Sequence, residues 1–114
     1  MELKKLGELK DIEYAGTRLK VVEGEKLYVS FIIVPPNVAF EPHGHQEEGV
    51  GYVLRGRLEL YTDVSPEKVT LSAGDILVLQ PGEKLGGNNP GSEEAWLLAI
   101  GIKPTATAES DRQQ

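Results

Sequence analysis

Residues 41–56 read EPHGHQEEGVGYVLRG, and they carry the strongest structural signal in the chain. One residue separates His43 from His45, the two histidines of the sequence. On an extended strand, residues two apart point to the same face, so both imidazoles would project together. Gly56 lies between two predicted strands with no other spacer, which indicates that it supplies the positive φ of a tight hairpin turn.

Short runs rich in Val, Ile, Leu, Tyr and Thr continue on both sides of this stretch, separated by glycines and prolines. Residues 57–62 alternate polar and apolar, which is typical of a strand with one solvated face. Residues 27–34 are nearly all apolar, which suits a strand covered on both faces. Strands are predicted at 11–15, 17–22, 26–34, 40–45, 49–55, 57–63, 68–71, 76–80 and 94–102. Many short strands at this spacing indicate an all-β sandwich or barrel.

Length and composition limit the classes of protein to consider. A chain of 114 residues is one domain in size. We expect strands in 1–25, a barrel core over 26–103 and a polar tail over 104–114. With no cysteine, disulfides and thiolate metal sites are excluded. The net charge of −6 argues against a nucleic-acid partner, and no apolar run approaches the ~20 residues of a membrane span. Without an N-terminal signal-peptide pattern, a cytoplasmic protein is expected.

The histidine pair is half of a metal site. Zinc, iron, manganese and nickel sites usually need at least three protein ligands, commonly two histidines and a carboxylate. Glu47 and Glu48 follow His45 closely enough to supply that carboxylate. The alternative is a pair of surface histidines on a loop after Pro42, and the spacing alone leaves both interpretations open.

Two stretches resemble the two motifs of the cupins, a family of small β-barrel proteins. The first covers residues 43–56, and the second covers 74–89 and reads GDILVLQPGEKLGGNN. Both occur in order and at the family's spacing, and with the flanking strands the resemblance extends over 26–102. It implies an all-β, cupin-like jelly-roll barrel. It also implies a homodimer that pairs N-terminal strands, for which Ile12 and Tyr14 are the apolar positions.

The resemblance fails at two of the family's four metal-ligand positions. His43 and His45 occupy the first two positions. The Glu or Gln position of the family falls on Gly49, and its last His falls on Leu85. Neither a glycine nor a leucine side chain can bind a metal.

Three hypotheses follow from this loss. In the first, Glu48 or Glu47 replaces the missing carboxylate beside His43 and His45, giving a site for Fe, Mn, Ni or Zn. In the second, the protein has no metal cofactor, and the roomier, more apolar interior binds a small molecule. In the third, the two histidines pick up nickel or zinc only at high concentration.

The sequence thus predicts a small-molecule-binding protein whose pocket is centred on His43 and His45. If it is an enzyme, the resemblance implies a metal-dependent dioxygenase or isomerase acting on a small acid, sugar or aromatic compound. The alternative is a non-catalytic ligand-binding or sensor barrel. We expect Glu47, Tyr52 and Trp96 to contribute to the pocket, although packing is the commoner role of such aromatic residues. The resemblance also implies that Lys84, Asn88 and Asn89 lie near the barrel mouth. We expect a surface loop there, the alternative being that Lys84 binds an anionic ligand.

Overall fold

The computed structural model describes residues 1–44 and 47–103, so His45, Gln46 and the predicted tail lie outside the described residues. The described part forms ten strands and one 3₁₀ turn at Leu6–Glu8. The strands are β1 (Ile12–Tyr14), β2 (Thr17–Glu23), β3 (Leu27–Val34), β4 (Ala39–Gly44), β5 (Gly49–Arg55), β6 (Arg57–Thr62), β7 (Val69–Ser72), β8 (Ile76–Leu79), β9 (Lys84–Asn88) and β10 (Ala95–Ile102). No helix among these residues is long and apolar enough to cross a membrane.

Two antiparallel sheets contain all ten strands. The larger sheet has the order β1-β2-β3-β10-β5-β8, and the smaller has the order β4-β9-β6-β7. Strands distant in sequence are neighbours in both sheets, as in a jelly roll. The predicted all-β jelly roll is therefore confirmed.

The core lies between the two sheets. Its buried members come from both of them: Val34, Phe40, Val53, Leu58, Leu60, Leu85, Ala95 and Leu97. Asn89 is also buried, and its side-chain amide donates to the carbonyl oxygens of Val34 and Glu93 at 2.9 and 2.8 Å. Its Oδ1 accepts from the Gly91 amide at 2.9 Å, so Asn89 ties the ends of three segments together.

Strand β9 is absent from the predicted strands, because Lys84, Asn88 and Asn89 were expected in a surface loop. The glycine pair in this stretch is typical of loops, but here it permits close strand packing. A Cβ on Gly87 would collide with the carbonyl oxygen of Glu59 on the neighbouring β6. Gly56 behaves as predicted, with a φ of 77° in the turn between β5 and β6.

The N-terminal strands extend the larger sheet. The side-chain ammonium of Lys20 lies 2.8 Å from the Asp11 carboxylate and donates to the carbonyl oxygen of Leu9 at 3.1 Å. Arg18 pairs with Glu94 at 2.7 Å. The Lys20 contacts attach the chain before β1 to β2, and the Arg18–Glu94 pair attaches β2 to the segment before β10.

The prediction that residues 27–34 are covered on both faces holds at the end of β3 and not at its beginning. Ile33 and Val34 lie on opposite faces and are both fully buried, whereas Leu27, on the same side as Ile33, is 55% exposed. We call the outward side of β3, β10, β5 and β8 the outer face. It consists of Leu27, Val29, Phe31, Ile33, Val50, Tyr52, Leu54, Ile76, Val78, Trp96, Leu98, Ile100 and Ile102.

Candidate functional site

A cavity of about 70 Å³ lies between the sheets, next to β4. Its apolar wall includes Leu19, Ile32, Phe40, Leu77, Leu79, Leu85 and Leu97. Its polar side chains are Tyr14, Thr17, Tyr28 and His43. No Asp, Glu, Lys or Arg is among the described residues that line it, so the cavity favours an uncharged, mostly apolar occupant.

Small residues on the larger sheet create this space. Gly51 and Ala99 are register partners, as are Gly49 and Gly101, and all but Gly101 line the cavity. Two residues away on the same strands, Leu97 and Val53 are buried in the core, and Leu97 also forms part of the cavity wall. The cavity therefore lies where the inward positions of β5 and β10 lack large side chains.

His43 stands on β4 at the border of the cavity and is exposed. Its Nδ1 lies 3.3 Å from the carbonyl oxygen of Glu41. The imidazole is flanked by the rings of Tyr14 and Phe40, with centroid distances of 5.7 and 6.4 Å. Across the β4–β9 pair, Leu85 is the register partner of His43. The imidazole thus presents one polar group at the border of an apolar space.

Thr17 and Tyr28 supply the hydroxyl groups that lie deeper in the site. Thr17 is buried, and its hydroxyl donates to the Tyr14 carbonyl oxygen at 2.6 Å. Burial raises the pKa of the Tyr28 hydroxyl above its ordinary value of 10.0, so this group stays protonated at neutral pH. The cavity therefore offers neutral hydroxyl groups rather than charges.

Tyr14, Thr17 and Tyr28 are site residues that the sequence motifs do not indicate. Two of them come from β1 and β2, outside the stretch that resembles the cupins, and strand pairing brings them to His43. For Tyr28 a signal was present, since it is an even number of positions from the inward-facing Val34 on the same strand.

The described residues do not fit a metal centre. His45 lies outside the described residues. Within 1–44 and 47–103, no group of three or more His, Asp or Glu side chains could hold a metal ion. Glu47 and Glu48 are exposed between β4 and β5, and neither lines the cavity. Gly49 and Leu85 do line it, at the positions where the resemblance would place further ligands.

The structure places Tyr52 and Trp96 on the outer face, away from the cavity. Their chain neighbours Val53 and Leu97 point into the core, and successive side chains of a strand alternate between faces. The Trp96 ring packs edge-on against Phe31, with centroids 6.5 Å apart. Both aromatic residues therefore belong to a different surface from the one predicted for them.

A wider cleft of about 510 Å³ opens between β7 and β8, the edge strands of the two sheets. It shares Leu77, Leu79 and Leu85 with the His43 cavity. These three leucines form the wall between the two spaces.

Comparison with known proteins identifies the family and the fold of the chain. A family profile described as "Cupin domain" matches residues 30–101. An RmlC-like cupin from Shewanella frigidimarina superposes with a TM-score of 0.78 at 16% identity, covering 94% of this chain and 95% of that one. KdgF from Halomonas sp. gives 0.76 at 19% identity, with 94% and 98% covered.

A Cupin 2 conserved barrel domain protein from Salinispora arenicola gives a TM-score of 0.75 at 24% identity, with 99% of this chain and 97% of that one covered. At such identities these structures establish a shared fold and nothing about the ligand. No curated protein shows significant similarity to the chain.

Proposed function

The chain belongs to the cupin family, and from this premise we propose that it binds a small, uncharged, mostly apolar molecule in the cavity beside His43 without using a metal. One observation carries the proposal. Gly49 and Leu85, which occupy two ligand positions of the family's metal site, both line an apolar cavity together with His43.

The size and lining of the cavity limit the ligand. A volume of about 70 Å³ is far below the roughly 300–1,000 Å³ of sites for drug-sized molecules, so the ligand is compact. Leucine and isoleucine side chains favour an apolar body. One hydroxyl, carbonyl or ring nitrogen on the ligand would form a hydrogen bond with the His43 imidazole at the border of the cavity.

In this proposal the side chains bind and orient the ligand, and no reaction step is assigned to them. The His43 imidazole forms a hydrogen bond with the polar group of the ligand at the cavity border. The alternative of a metal-dependent enzyme remains a prediction, with His43, His45 and either Glu48 or Glu47 as ligands.

Metal analysis of protein purified without a histidine tag distinguishes the metal-free binding protein from the metal-dependent enzyme. We expect far less than one equivalent of any transition metal by mass spectrometry, and a melting temperature that a chelator does not change. Near one equivalent of a single metal, together with a clear loss of stability on chelation, would contradict the proposal.

Ligand binding is then tested by a thermal-shift and NMR screen of compact neutral compounds, with polar and charged analogues for comparison. Neutral apolar compounds should bind, and His43→Ala should weaken their binding. Glu48→Ala and Glu47→Ala serve as matched controls, because both carboxylates lie outside the cavity lining. A loss of binding in either control would favour the metal site instead.

A further inference from the structure

The cleft between β7 and β8 has an apolar interior that is open to solvent. On the β7 side, Leu71 is the register partner of Leu58, and Val69 is the register partner of Leu60. Register partners point to the same face of a sheet, and Leu58 and Leu60 are buried in the core. Val69 therefore points toward the space between the sheets, although it is 59% exposed.

The opposite wall of the cleft comes from β8. Leu77 and Leu79 face inward there, opposite Gly51 and Gly49 of β5. Strands β7 and β8 are the edge strands of their sheets, so the two sheets leave a gap between them. The volume of about 510 Å³ is within the roughly 300–1,000 Å³ of sites for drug-sized molecules. The cleft thus has the size and the apolar lining of a ligand site separate from the His43 cavity.

The charged side chains that line the cleft are all acidic. They are Glu67, Asp75 and Glu83, and no Lys or Arg is among the described residues of the lining. The Lys68 ammonium, next to Glu67 in the chain, donates instead to the Asn88 side-chain oxygen at 2.8 Å. The cleft therefore combines an apolar interior with a negative margin.

Two of these carboxylates lie at the same end of the cleft. Glu67 precedes β7 by two residues, and Glu83 directly precedes β9. The Asp63 amide donates to the Lys84 carbonyl oxygen at 3.1 Å, which joins the β6–β7 loop to the start of β9. The Glu83 carboxylate accepts from the Gln80 amide at 2.7 Å through one oxygen, so it is held in place before any ligand arrives.

We propose that this cleft binds an amphipathic organic cation, an ammonium group on an alkyl or arylalkyl body. The apolar body lies against Val69, Leu71 and Leu77, and the ammonium group lies at the end that holds Glu67 and Glu83. The net charge of −6 attracts such a cation from solution. This ligand differs in charge from the neutral molecule proposed for the His43 cavity, and its binding does not depend on that proposal.

Three probes that share one alkyl chain and differ in their polar group test the proposal: octylammonium, 1-octanol and octanoate. Backbone amide shifts in an NMR titration give both the affinity and the location. Octylammonium should bind with a Kd below about 1 mM. It should bind at least ~5-fold more tightly than octanoate, because ion pairs with two exposed carboxylates replace repulsion by them. The shifted amides should belong to β7 and β8.

The double variant Glu67→Gln/Glu83→Gln removes both charges but keeps an oxygen that can accept from the Gln80 amide. It should abolish the preference for octylammonium over octanoate. The matched control is Glu13→Gln/Glu25→Gln, which changes the net charge equally at exposed positions outside the cleft. This control should keep most of the preference.

A second variant tests the apolar interior. Val69→Lys places an ammonium group of the protein in the cleft and should weaken octylammonium binding at least ~10-fold by repulsion and by occupying the space. Val64→Lys is the matched control, since Val64 is 68% exposed and does not line the cleft. It should weaken binding far less.

Four outcomes would overturn the proposal. The first is no binding of octylammonium at about 1 mM. The second is binding of octanoate as tight as that of octylammonium. The third is an unchanged preference in the folded Glu67→Gln/Glu83→Gln variant, or unchanged affinity in folded Val69→Lys. The fourth is a set of shifted amides beside His43 that leaves out β7 and β8.

Discussion

Ala15 has a backbone conformation that alanine rarely adopts. Its φ is 51°, and that of Gly16 is 83°, so the two residues form a two-residue turn between β1 and β2 with both centres in the left-handed region. Such type I′ turns favour Asn-Gly, and an alanine there is strained by roughly 1–2 kcal/mol. The hairpin that places Tyr14 at the cavity therefore contains a strained backbone conformation at Ala15.

Ala15→Asn should raise the free energy of unfolding by about 1 kcal/mol, because asparagine tolerates positive φ better than alanine. Chemical denaturation measures the change. Ala73→Asn is the matched control, since Ala73 also precedes a glycine in a turn but does not have a positive φ. Equal gains in both variants would show that turn strain is not the cause.

At the scale of the elements, the sequence predicted nine of the strands, because Val, Ile and Leu runs between glycines are a local signal. It missed β9, since the need for Gly87 to lie against Glu59 arises only after β6 and β9 pair. His43 was predicted from another local signal, its spacing from His45. Thr17 and Tyr28 were not, because their place in the cavity depends on contacts between distant strands.

Strands β5 and β9 should accept the metal ligands that the family resemblance leads one to expect. A Cβ on Gly49 would lie 3.4 Å from the carbonyl oxygen of Ile100, an ordinary contact, and Leu85 is the register partner of His43. The double variant Gly49→Glu/Leu85→His should therefore bind zinc or nickel, seen as a metal-dependent rise in melting temperature.

The control for this variant is Gly49→Leu/Leu85→Asn, which fills the same two positions without adding a carboxylate or an imidazole. It should lose comparable stability and gain no metal-dependent rise. If the wild type shows the same rise as the histidine variant, the native chain already holds a complete site.

The attachment of the N-terminal segment to β2 should depend on pH. Hydrogen bonding to Lys20 lowers the pKa of Asp11 below its ordinary value of 3.8, so folding favours the ionised carboxylate. The stabilisation is present above that value and is lost as the pH falls through the lower pKa of the folded state.

Asp11→Asn should consequently lower stability near neutral pH and reduce its loss below about pH 4. Thermal melts between pH 2 and 7 would follow both effects, with the exposed Glu25→Gln as the control. An unchanged acid slope in Asp11→Asn would show that this ion pair contributes nothing measurable.

At the scale of the whole molecule, the homodimer that the family resemblance implies would make folding and association interdependent, and the larger sheet has an apolar outer face available for it. If two copies share the outer face, the native state gains stability by mass action as concentration rises. The melting temperature should therefore increase with protein concentration, and calorimetry over a hundredfold concentration range would show it. A folded variant with a charge on the outer face, such as Leu54→Glu, should melt at one temperature throughout this range, since Leu54 is 39% exposed.

The wall made by Leu77, Leu79 and Leu85 has a practical consequence for protein engineering. The space beside His43 and the cleft beyond the wall together fall within the volume range of sites for drug-sized molecules. Replacing one of these leucines with a smaller residue would join the His43 cavity to the open cleft. The hairpin turns at Ala15–Gly16 and at Gly56 would not be altered. A redesign for binding a larger ligand would therefore begin with these leucines, and the His43 imidazole would already offer a hydrogen-bonding group in the enlarged site.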